Sequence, residues 1–388
     1  MTPNELSAPR RRPTVAARWV LAAGLALLGG AAALIVWRAM GERGFDRGVF
    51  PPLETGPEVV EAARKPRRLL VLGDSFLSWW PVEDSLWEAL RRFSAAADVG
   101  LVNAAAAGFG PFEYEDQMRH LGPALRPQLV LLFYYAGNDL TDVQYRPDER
   151  PRRPTGGPTG AREPGRRGAR LRPGPAGSGR PGLPAILPTA AARSTDPSDD
   201  QFDWEAMRRY GIAADLIAKA QNRLRHPNAI GPDYVNPYLL DLALSRPRYL
   251  LDNLLIEGPE NEAAWRKVER ALGHVASVAE GLGAELCIVV IASTVQVDRS
   301  HFEFYRRARF EVEDRLANAT GPQDRLRAFC EARGLSLVDL LPAFKSHPLT
   351  EGLYWENDDH FSEAGHRLAW SVLLREFLSD WEARTGPP

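Results

Sequence analysis

The chain has 388 residues, of which 44% are apolar and 25% are charged, with a formal net charge of −2 at pH 7. This is an ordinary globular composition, long enough for one large domain or two small ones. The balanced charge argues against a nucleic-acid-binding protein, because such proteins carry an excess of Lys and Arg that neutralises phosphates.

The first predicted element is an apolar stretch over residues 19–37, WVLAAGLALLGGAAALIVW, which contains no charged residue. Its length is close to the ~20 apolar residues that a helix needs to cross a bilayer. The arginines before it are more concentrated than those after it, which predicts a cytoplasmic tail over residues 1–18 and an extracytoplasmic (periplasmic or extracellular) location for everything after residue 40. A cleaved signal peptide is the alternative, but the apolar run continues past any small-residue cleavage site.

A polar tether is expected over residues 41–66, followed by one α/β domain over residues 67–388. Apolar runs of strand length alternate there with amphipathic helical patterns. The strands are predicted at 67–73, 99–103, 127–135, 284–292 and 335–341. The helices are predicted at about 82–95, 113–122, 261–282, 302–331 (with a break near Gly321-Pro322) and 362–383. The strands are continuously apolar, which is typical of a parallel sheet covered on both faces, so a three-layer α/β/α domain is expected.

An insertion over residues 146–258 interrupts this alternation. Its first part, 146–200, is rich in Pro, Gly and Arg and almost free of large apolar side chains, so we expect disorder there. Its second part, 201–258, has helical patterns and is predicted to form a cap between the third and fourth strands.

The cysteines and histidines predict neither a metal site nor a cofactor. Cys287 lies in a strand-like run and Cys330 on an amphipathic helix, so buried free thiols are expected. One disulfide between them is the alternative in an oxidising compartment. The histidines are scattered without ligand spacing, and no phosphate-binding loop is present.

Chemically capable residues follow several of the predicted strands. Gly73-Asp74-Ser75 follows the first strand, a turn with Gly108 follows the second, and Gly137-Asn138-Asp139 follows the third. Asp358, Asp359 and His360 come just before the last helix. Because ligands bind at the carboxyl ends of the strands in open parallel sheets, we expect these groups to meet at one edge.

These four blocks, in this order and strand context, resemble those of the SGNH/GDSL hydrolase superfamily. The resemblance extends through VNAAAAGFGP, RPQLVLLFYYAGNDLTD and DDHFSEAGH. It covers about residues 67–145 and 260–380. It implies a flavodoxin-like, five-stranded parallel sheet and a serine esterase that needs no cofactor.

Each of the four sequence blocks would have a role in acyl transfer. Ser75 would attack the ester carbonyl after a base takes its proton, and His360 is placed to be that base. The resemblance assigns the oxyanion hole to the backbone N–H groups of Ser75 and Gly108 and to the side-chain amide of Asn138. Each such donor typically contributes ~3 kcal/mol to transition-state stabilisation.

The acid of the triad departs from the usual family pattern. The usual position, three residues before the histidine, holds Asn357 in this chain. Asp358 is therefore chosen as the acid, while the adjacent Asp359 is expected to point elsewhere. If neither carboxylate reaches His360, the site is a Ser-His dyad.

The leading hypothesis is a membrane-anchored serine ester hydrolase acting on acyl or acetyl esters, with envelope glycans as the favoured substrates. An O-acyltransferase would use the same site and would need a multi-span membrane partner to supply the acyl donor. A catalytically degenerate glycan-binding module is the alternative from a different functional class.

Overall fold

Five parallel strands form the centre of the domain. The computed structural model describes residues 56–77, 82, 84–144, 201–226, 229–348 and 351–386. The strands are β1 (Arg67–Leu72), β2 (Val99–Asn103), β3 (Leu129–Tyr135), β4 (Glu285–Ile291) and β5 (Ser336–Asp339). They pair in the order β2-β1-β3-β4-β5, all parallel. This is the flavodoxin-like order, so the expected sheet is confirmed.

The described helices follow in chain order. They are α1 (Pro57–Ala63), α2 (Leu86–Ala96), α3 (Pro111–Leu125), α4 (Asp139–Gln144), α5 (Trp204–Tyr210), α6 (Ala214–Arg225), α7 (Pro237–Ser245), α8 (Tyr249–Leu255), α9 (Gly258–Leu282), α10 (Thr294–Val297), α11 (His301–Arg307), α12 (Gly321–Glu331), α13 (Leu341–Ser346), α14 (Glu363–Leu373) and α15 (Ser379–Thr385). A π-helical segment, Leu374–Leu378, joins α14 to α15.

Alternate side chains of each strand enter two separate apolar cores. In β1, Leu70 and Leu72 pack on one face with residues of α1, α3, α9 and α12. Leu69 and Val71 pack on the other face with residues of α2, α13, α14 and α15. Both faces are therefore covered, which explains why the strands are continuously apolar. The three-layer α/β/α architecture is confirmed.

A third apolar cluster belongs to the helical cap. The helical cap consists of α5 to α8 together with residues 294–319, whose apolar side chains share one core. Residues 201–258 accordingly form helices, and they lie between β3 and β4 in the chain. Phe202 and Leu216 from the insertion pack in this core with Phe302 and Tyr305.

The tether was expected to extend over residues 41–66, but its C-terminal part belongs to the folded domain. Residues Pro57–Ala63 form α1, and Val59 and Ala62 are buried in the sheet core. Gly100 of β2 permits this packing, because a Cβ added there would lie 2.9 Å from Ala62 Cα. Val59 and Ala62 stabilise α1 against the sheet by packing in this core.

The long helix expected over residues 302–331 is also wrong between residues 308 and 320, where the structure has no α-helix. Helix α11 ends at Arg307, and Arg309 then adopts a positive φ of 75°. A short 3-10 helix, Asp314–Asn318, precedes α12, which begins at Gly321 as the Gly-Pro break suggested. The backbone leaves the helix because this segment turns to complete the helical cap rather than covering the sheet.

Several predictions fall on residues outside the described ranges. They are the cytoplasmic tail (1–18), the membrane anchor (19–37), most of the tether and the disordered part of the insertion (146–200). Within the described ranges, none of the helices combines the length and apolar character that a membrane span requires.

Cys287 and Cys330 are both free and buried. Cys287 of β4 belongs to one apolar core and Cys330 of α12 to the other, so the sheet lies between them. Burial raises the pKa of the Cys287 thiol well above its usual value. Free thiols were the favoured expectation, and this placement explains why the two do not pair.

Replacing Gly100 by Ala is expected to lower the free energy of unfolding by about 1–3 kcal/mol, because the new methyl group would displace α1 from the sheet. Denaturant unfolding of the purified protein measures this change. Gly281→Ala is the matched control: Gly281 lies in α9 with nothing near an added Cβ, so its substitution should be neutral or stabilising. Equal effects at the two positions would contradict the packing of α1.

Candidate active site

Ser75 lies where β1 ends, as the first residue of a 3-10 turn, Ser75–Leu77. Two residues separate it from the last strand residue, Leu72. The preceding Asp74 fixes the turn, because its Oδ1 accepts a hydrogen bond from Phe76 N at 3.0 Å. The strand therefore delivers the hydroxyl to the carboxyl edge of the sheet, as expected.

His360 lies on a loop held against the same edge. Tyr354 and Phe361 form an antiparallel bridge across this loop, and Trp355 N donates to the His360 carbonyl at 3.0 Å. The Tyr354 hydroxyl donates to Ala292 O, immediately after β4, at 2.6 Å. These bonds tie the loop to the sheet.

A continuous hydrogen-bond chain joins Ser75, His360 and Asp358. Ser75 Oγ lies 2.7 Å from His360 Nε2, and His360 Nδ1 lies 2.5 Å from Asp358 Oδ1. Asp358 Oδ1 also accepts from His360 N at 3.2 Å. Because a carboxylate only accepts, these partners assign the proton of the neutral imidazole to Nδ1 and leave Nε2 to accept from the serine hydroxyl. This is the geometry of a Ser-His-Asp triad.

Asp359 does not point elsewhere, contrary to the sequence expectation. Its Oδ1 lies 3.3 Å from His360 Nδ1, and its Oδ2 accepts from the Tyr135 hydroxyl at 3.4 Å. Tyr135 is the last residue of β3, so the sheet orients this second carboxylate. The imidazole thus faces two acids, with Asp358 the closer.

The charges of the two acids decide the ionisation of His360. Burial alone would lower the pKa of His360, but the charges of Asp358 and Asp359 and the Asp358 hydrogen bond outweigh it and raise the pKa to about 9. Burial would likewise raise the pKa of Asp358, yet His360 and the Arg223 charge hold it below its usual value. Burial, reinforced by the Asp358 charge, raises the pKa of Asp359 to about 6.

The residues assigned to the oxyanion hole follow three adjacent strands. Ser75 follows β1, Gly108 follows β2 and Asn138 follows β3, and these three strands are neighbours in the sheet. Gly108 has a φ of 76°, in the turn closed by the bond from Phe109 N to Ala106 O at 3.1 Å. An added Cβ at Gly108 would meet no atom within 4 Å, so the positive φ is what favours glycine here.

Asp74 connects the serine turn to Asn138. Its Oδ2 accepts from Asn138 Nδ2 at 3.5 Å, which orients the amide and leaves the second amide hydrogen for another acceptor. Burial raises the pKa of Asp74 to about 7, although the Phe76 hydrogen bond and the His360 charge oppose the rise. The Asp of the GDS block therefore holds both the turn and the amide.

Other residues singled out in the sequence have structural roles. Asp139 is buried and accepts from Tyr135 N at 3.0 Å and from the Tyr114 hydroxyl at 3.0 Å. Asn357 points toward the helical cap, where its Nδ2 donates to Pro232 O at 3.0 Å. It therefore does not take the position of the acid.

The spacing of one group of side chains would also suit a metal ion. Among the described residues, only Asp358, Asp359 and His360 form such a group of three, with their ligand atoms within 4.8 Å of one another. Both imidazole nitrogens are already hydrogen-bonded, to Ser75 and to Asp358. The hydrogen bonds of a proton-transfer chain therefore account for the close approach of these three side chains.

Sequence patterns did not indicate that Tyr135 would donate a hydrogen bond to Asp359 or that the charge of Arg223 would act on Asp358. Tyr135 closes an apolar strand and looks like a core residue, although its position at the strand's carboxyl end is a weak signal. Arg223 lies in the insertion, and only folding brings its charge near Asp358.

No protein-family model matches the chain, and no curated protein matches its sequence. Solved structures similar to it include a GDSL-like lipase from Bacteroides thetaiotaomicron, with 9% identity and a TM-score of 0.38, over 81% of this chain and 89% of that one. A lipase/acylhydrolase from Enterococcus faecalis has 13% identity and a TM-score of 0.37, over 83% and 98% of the two chains.

A catalytic mutant of an acetylxylan esterase from Geobacillus stearothermophilus has 12% identity and a TM-score of 0.36, over 80% of this chain and 94% of that one. At identities this low, such similarities do not carry an activity over to this chain.

The His360 imidazole is expected to titrate above its usual pKa of ~6.5, and Asp358→Asn should lower its pKa more than Asp359→Asn. The larger effect follows because Asp358 supplies both the nearer charge and the hydrogen bond. Imidazole NMR during a pH titration measures both changes, with the signal assigned by its loss in His360→Gln. The reverse order of the two variants would make Asp359 the principal acid.

Proposed function

We propose that this protein is a serine ester hydrolase acting on acyl or acetyl esters. The observation that carries the proposal is the hydrogen-bond chain from Ser75 through His360 to Asp358. A serine hydroxyl is a weak nucleophile until an adjacent base takes its proton, and this geometry supplies the base and its orienting acid. All three side chains lie at the carboxyl edge of the sheet, where a substrate can approach.

The reaction proceeds in two acyl-transfer steps. Ser75 Oγ attacks the ester carbonyl while its proton passes to His360 Nε2, and Asp358 stabilises the imidazolium. The imidazolium then protonates the departing alcohol as the ester C–O bond breaks, which leaves an acyl-serine. Water attacks this acyl group, giving its proton to His360, and the acid is released as Ser75 recovers its proton.

The negative charge that develops on the carbonyl oxygen needs fixed donors. The backbone N–H groups of Ser75 and Gly108 and the Asn138 amide are proposed to supply them, because their strands are neighbours and end at the same edge. Asp74 supports this role by orienting the amide of Asn138. Donors held in place before the reaction stabilise the transition state without reorganisation.

The raised pKa of His360 sets the pH dependence of the reaction. Only neutral imidazole accepts the Ser75 proton, and the neutral fraction grows as the pH rises through a pKa of about 9. The rate of acylation therefore increases from neutral toward alkaline pH.

The Ser75→Ala variant should lose at least about 10³-fold in kcat toward a short-chain aryl acetate, because the nucleophile is absent. It should also lose labelling by a serine-reactive phosphonate. Ser85→Ala is the matched control, since Ser85 belongs to the chain's other Asp-Ser pair but caps α2 by accepting from Glu88 N at 3.2 Å. It should keep its activity and lose about 1 kcal/mol of stability.

Each outcome of this comparison separates the candidate functions. Hydrolysis that survives in Ser75→Ala would contradict the proposal. Phosphonate labelling of Ser75 without hydrolysis would favour an O-acyltransferase with a membrane partner that supplies the acyl donor. Folded protein with neither labelling nor hydrolysis would favour a glycan-binding module.

We further propose that residues 19–37 anchor the enzyme in a membrane, with the catalytic domain outside the cytoplasm and envelope glycans as its ester substrates. The support is the charge-free apolar length of this segment and the arginines that precede it. Such a location would place the site beside acylated surface polymers.

The full chain should remain with membranes after a carbonate wash, whereas the double variant Leu27→Arg, Leu28→Arg should be released into the supernatant. Two charges at the centre of the segment cost about 5–7 kcal/mol of insertion free energy. Immunoblotting of the two fractions measures the distribution, and intact mass reports any N-terminal cleavage. A mature chain that lacks the segment would instead establish a cleaved signal peptide.

A further inference from the structure

Asp359 is a second carboxyl beside the imidazole, and the reaction described above does not use it. Its Oδ1 lies 3.3 Å from His360 Nδ1, whereas Asp358 Oδ1 lies 2.5 Å from the same nitrogen. The side chains of both acids are 12% exposed, so the second is as withdrawn from water as the first. Two buried acids therefore approach one imidazole nitrogen, although a triad requires only one.

A hydrogen bond from the sheet fixes the orientation of Asp359. The Tyr135 hydroxyl donates to Asp359 Oδ2 at 3.4 Å, while Oδ1 is the oxygen that faces His360. Burial and the Asp359 charge raise the pKa of Tyr135 well above its usual value, so the phenol keeps its proton and remains a donor. Tyr135 therefore determines which oxygen of Asp359 is presented to the imidazole.

The fold provides a place for the Tyr135 ring. The ring packs on Phe76 with 4.6 Å between centroids, and Phe76 packs on the His360 imidazole with 5.0 Å between centroids. A Cβ added at Gly137 would overlap the Tyr135 ring, so the glycine of the Gly-Asn-Asp block makes room for it. The ring that orients Asp359 and the imidazole are thus held against the same phenylalanine.

A small movement would let Asp359 replace Asp358. A charge-assisted N–H···O bond spans ~2.7–2.9 Å, so Asp359 Oδ1 would need to approach His360 Nδ1 by about 0.5 Å. Rotation about its side-chain bonds can provide such a shift. The charge of Asp359 already acts on the imidazole, because burial lowers the pKa of His360 and the charges of both acids oppose this.

We propose that Asp359, oriented by Tyr135, is a second acid that can replace Asp358 in orienting His360 and stabilising its imidazolium. Asp359 and Tyr135 are positioning residues in this role, because they act on the ester only through His360. The inference deepens the proposed ester hydrolysis and rests on it for its effect on rate. Its consequence is a site that tolerates the loss of either acid but not of both.

Kinetics of single and double acid variants test the replacement. The limiting kcat toward a short-chain aryl acetate is measured on the full-length chain in detergent, at alkaline pH where His360 is neutral. Asp358→Ala should lose at most about 10²-fold, and Asp359→Ala less than about fivefold, because one acid remains in each. The double variant should lose about 10⁴-fold, the loss typical of removing a lone acid. Asp358→Ala as slow as the double variant would overturn the proposal.

Tyr135→Phe removes the orienting hydroxyl and keeps the ring. It should lower kcat less than about threefold in otherwise wild-type protein, but about tenfold or more in Asp358→Ala, where Asp359 is the remaining acid. Tyr134→Phe is the matched control, since Tyr134 is the neighbouring residue of β3 and its buried hydroxyl lies on the opposite face of the sheet. Its effect should be the same in both backgrounds. An equally background-independent effect of Tyr135→Phe would contradict the role of the hydroxyl.

The pKa of His360 gives a readout that does not depend on catalysis. By imidazole NMR it should stay above ~6.5 in Asp358→Ala and fall below ~6.5 in the double variant, where burial is opposed by the smaller effect of Asp74. Asn in place of each Asp keeps the side-chain volume and gives the same comparison if an Ala variant does not fold. Equal pKa values in the single Asp358 variant and the double variant would overturn the proposal. If the pKa values differ as expected while wild-type protein hydrolyses no ester, the proposed function fails and the second acid stands.

Discussion

The contact between Ser75 Oγ and His360 Nε2 joins residues 285 positions apart in the sequence. Local structure cannot produce it; the parallel sheet does, because it brings the carboxyl ends of β1 and its neighbours to one edge. The hydrogen bonds from Tyr354 to Ala292 and from Trp355 to His360 then hold the C-terminal loop at that edge. Most of the described fold can thus be understood as a frame for this contact.

A group of buried carboxyls is the electrostatic consequence of that frame. Asp74, Asp358 and Asp359 act on the His360 imidazole, whereas the buried Asp139 interacts with Asp74, and burial raises the pKa of Asp74, Asp139 and Asp359. Each carboxyl has a fixed hydrogen-bond partner, which limits the cost of its burial. The charges of Asp358 and Asp359 favour the imidazolium that forms during acyl transfer, and the Arg223 charge of the helical cap in turn favours the ionised form of Asp358.

The sheet and most of the site could be predicted because they depend on local patterns. Continuous apolar runs identify strands buried on both faces, and Gly73-Asp74-Ser75 and His360 stand beside those runs in the sequence. The orientation of Asp359 could not be predicted, because it depends on Tyr135, which is distant in sequence. Helix α1 was missed because two small apolar residues, Val59 and Ala62, are enough to dock it when Gly100 lies opposite. Residues 308–319 were included in a predicted helix because their amphipathic pattern serves the helical cap as well as it would serve a helix on the sheet.

The most direct test of a Ser75–His360 acyl-transfer site is a crystal structure of the protein after reaction with an aryl phosphonate. Our account predicts phosphorus bonded to Ser75 Oγ, with His360 Nε2 still within hydrogen-bond distance of that side chain. It also predicts a phosphonyl oxygen about 3 Å from the Ser75 and Gly108 backbone nitrogens and from Asn138 Nδ2. A phosphonate attached to another nucleophile, or an adduct in which His360 lies away from Ser75, would contradict the account.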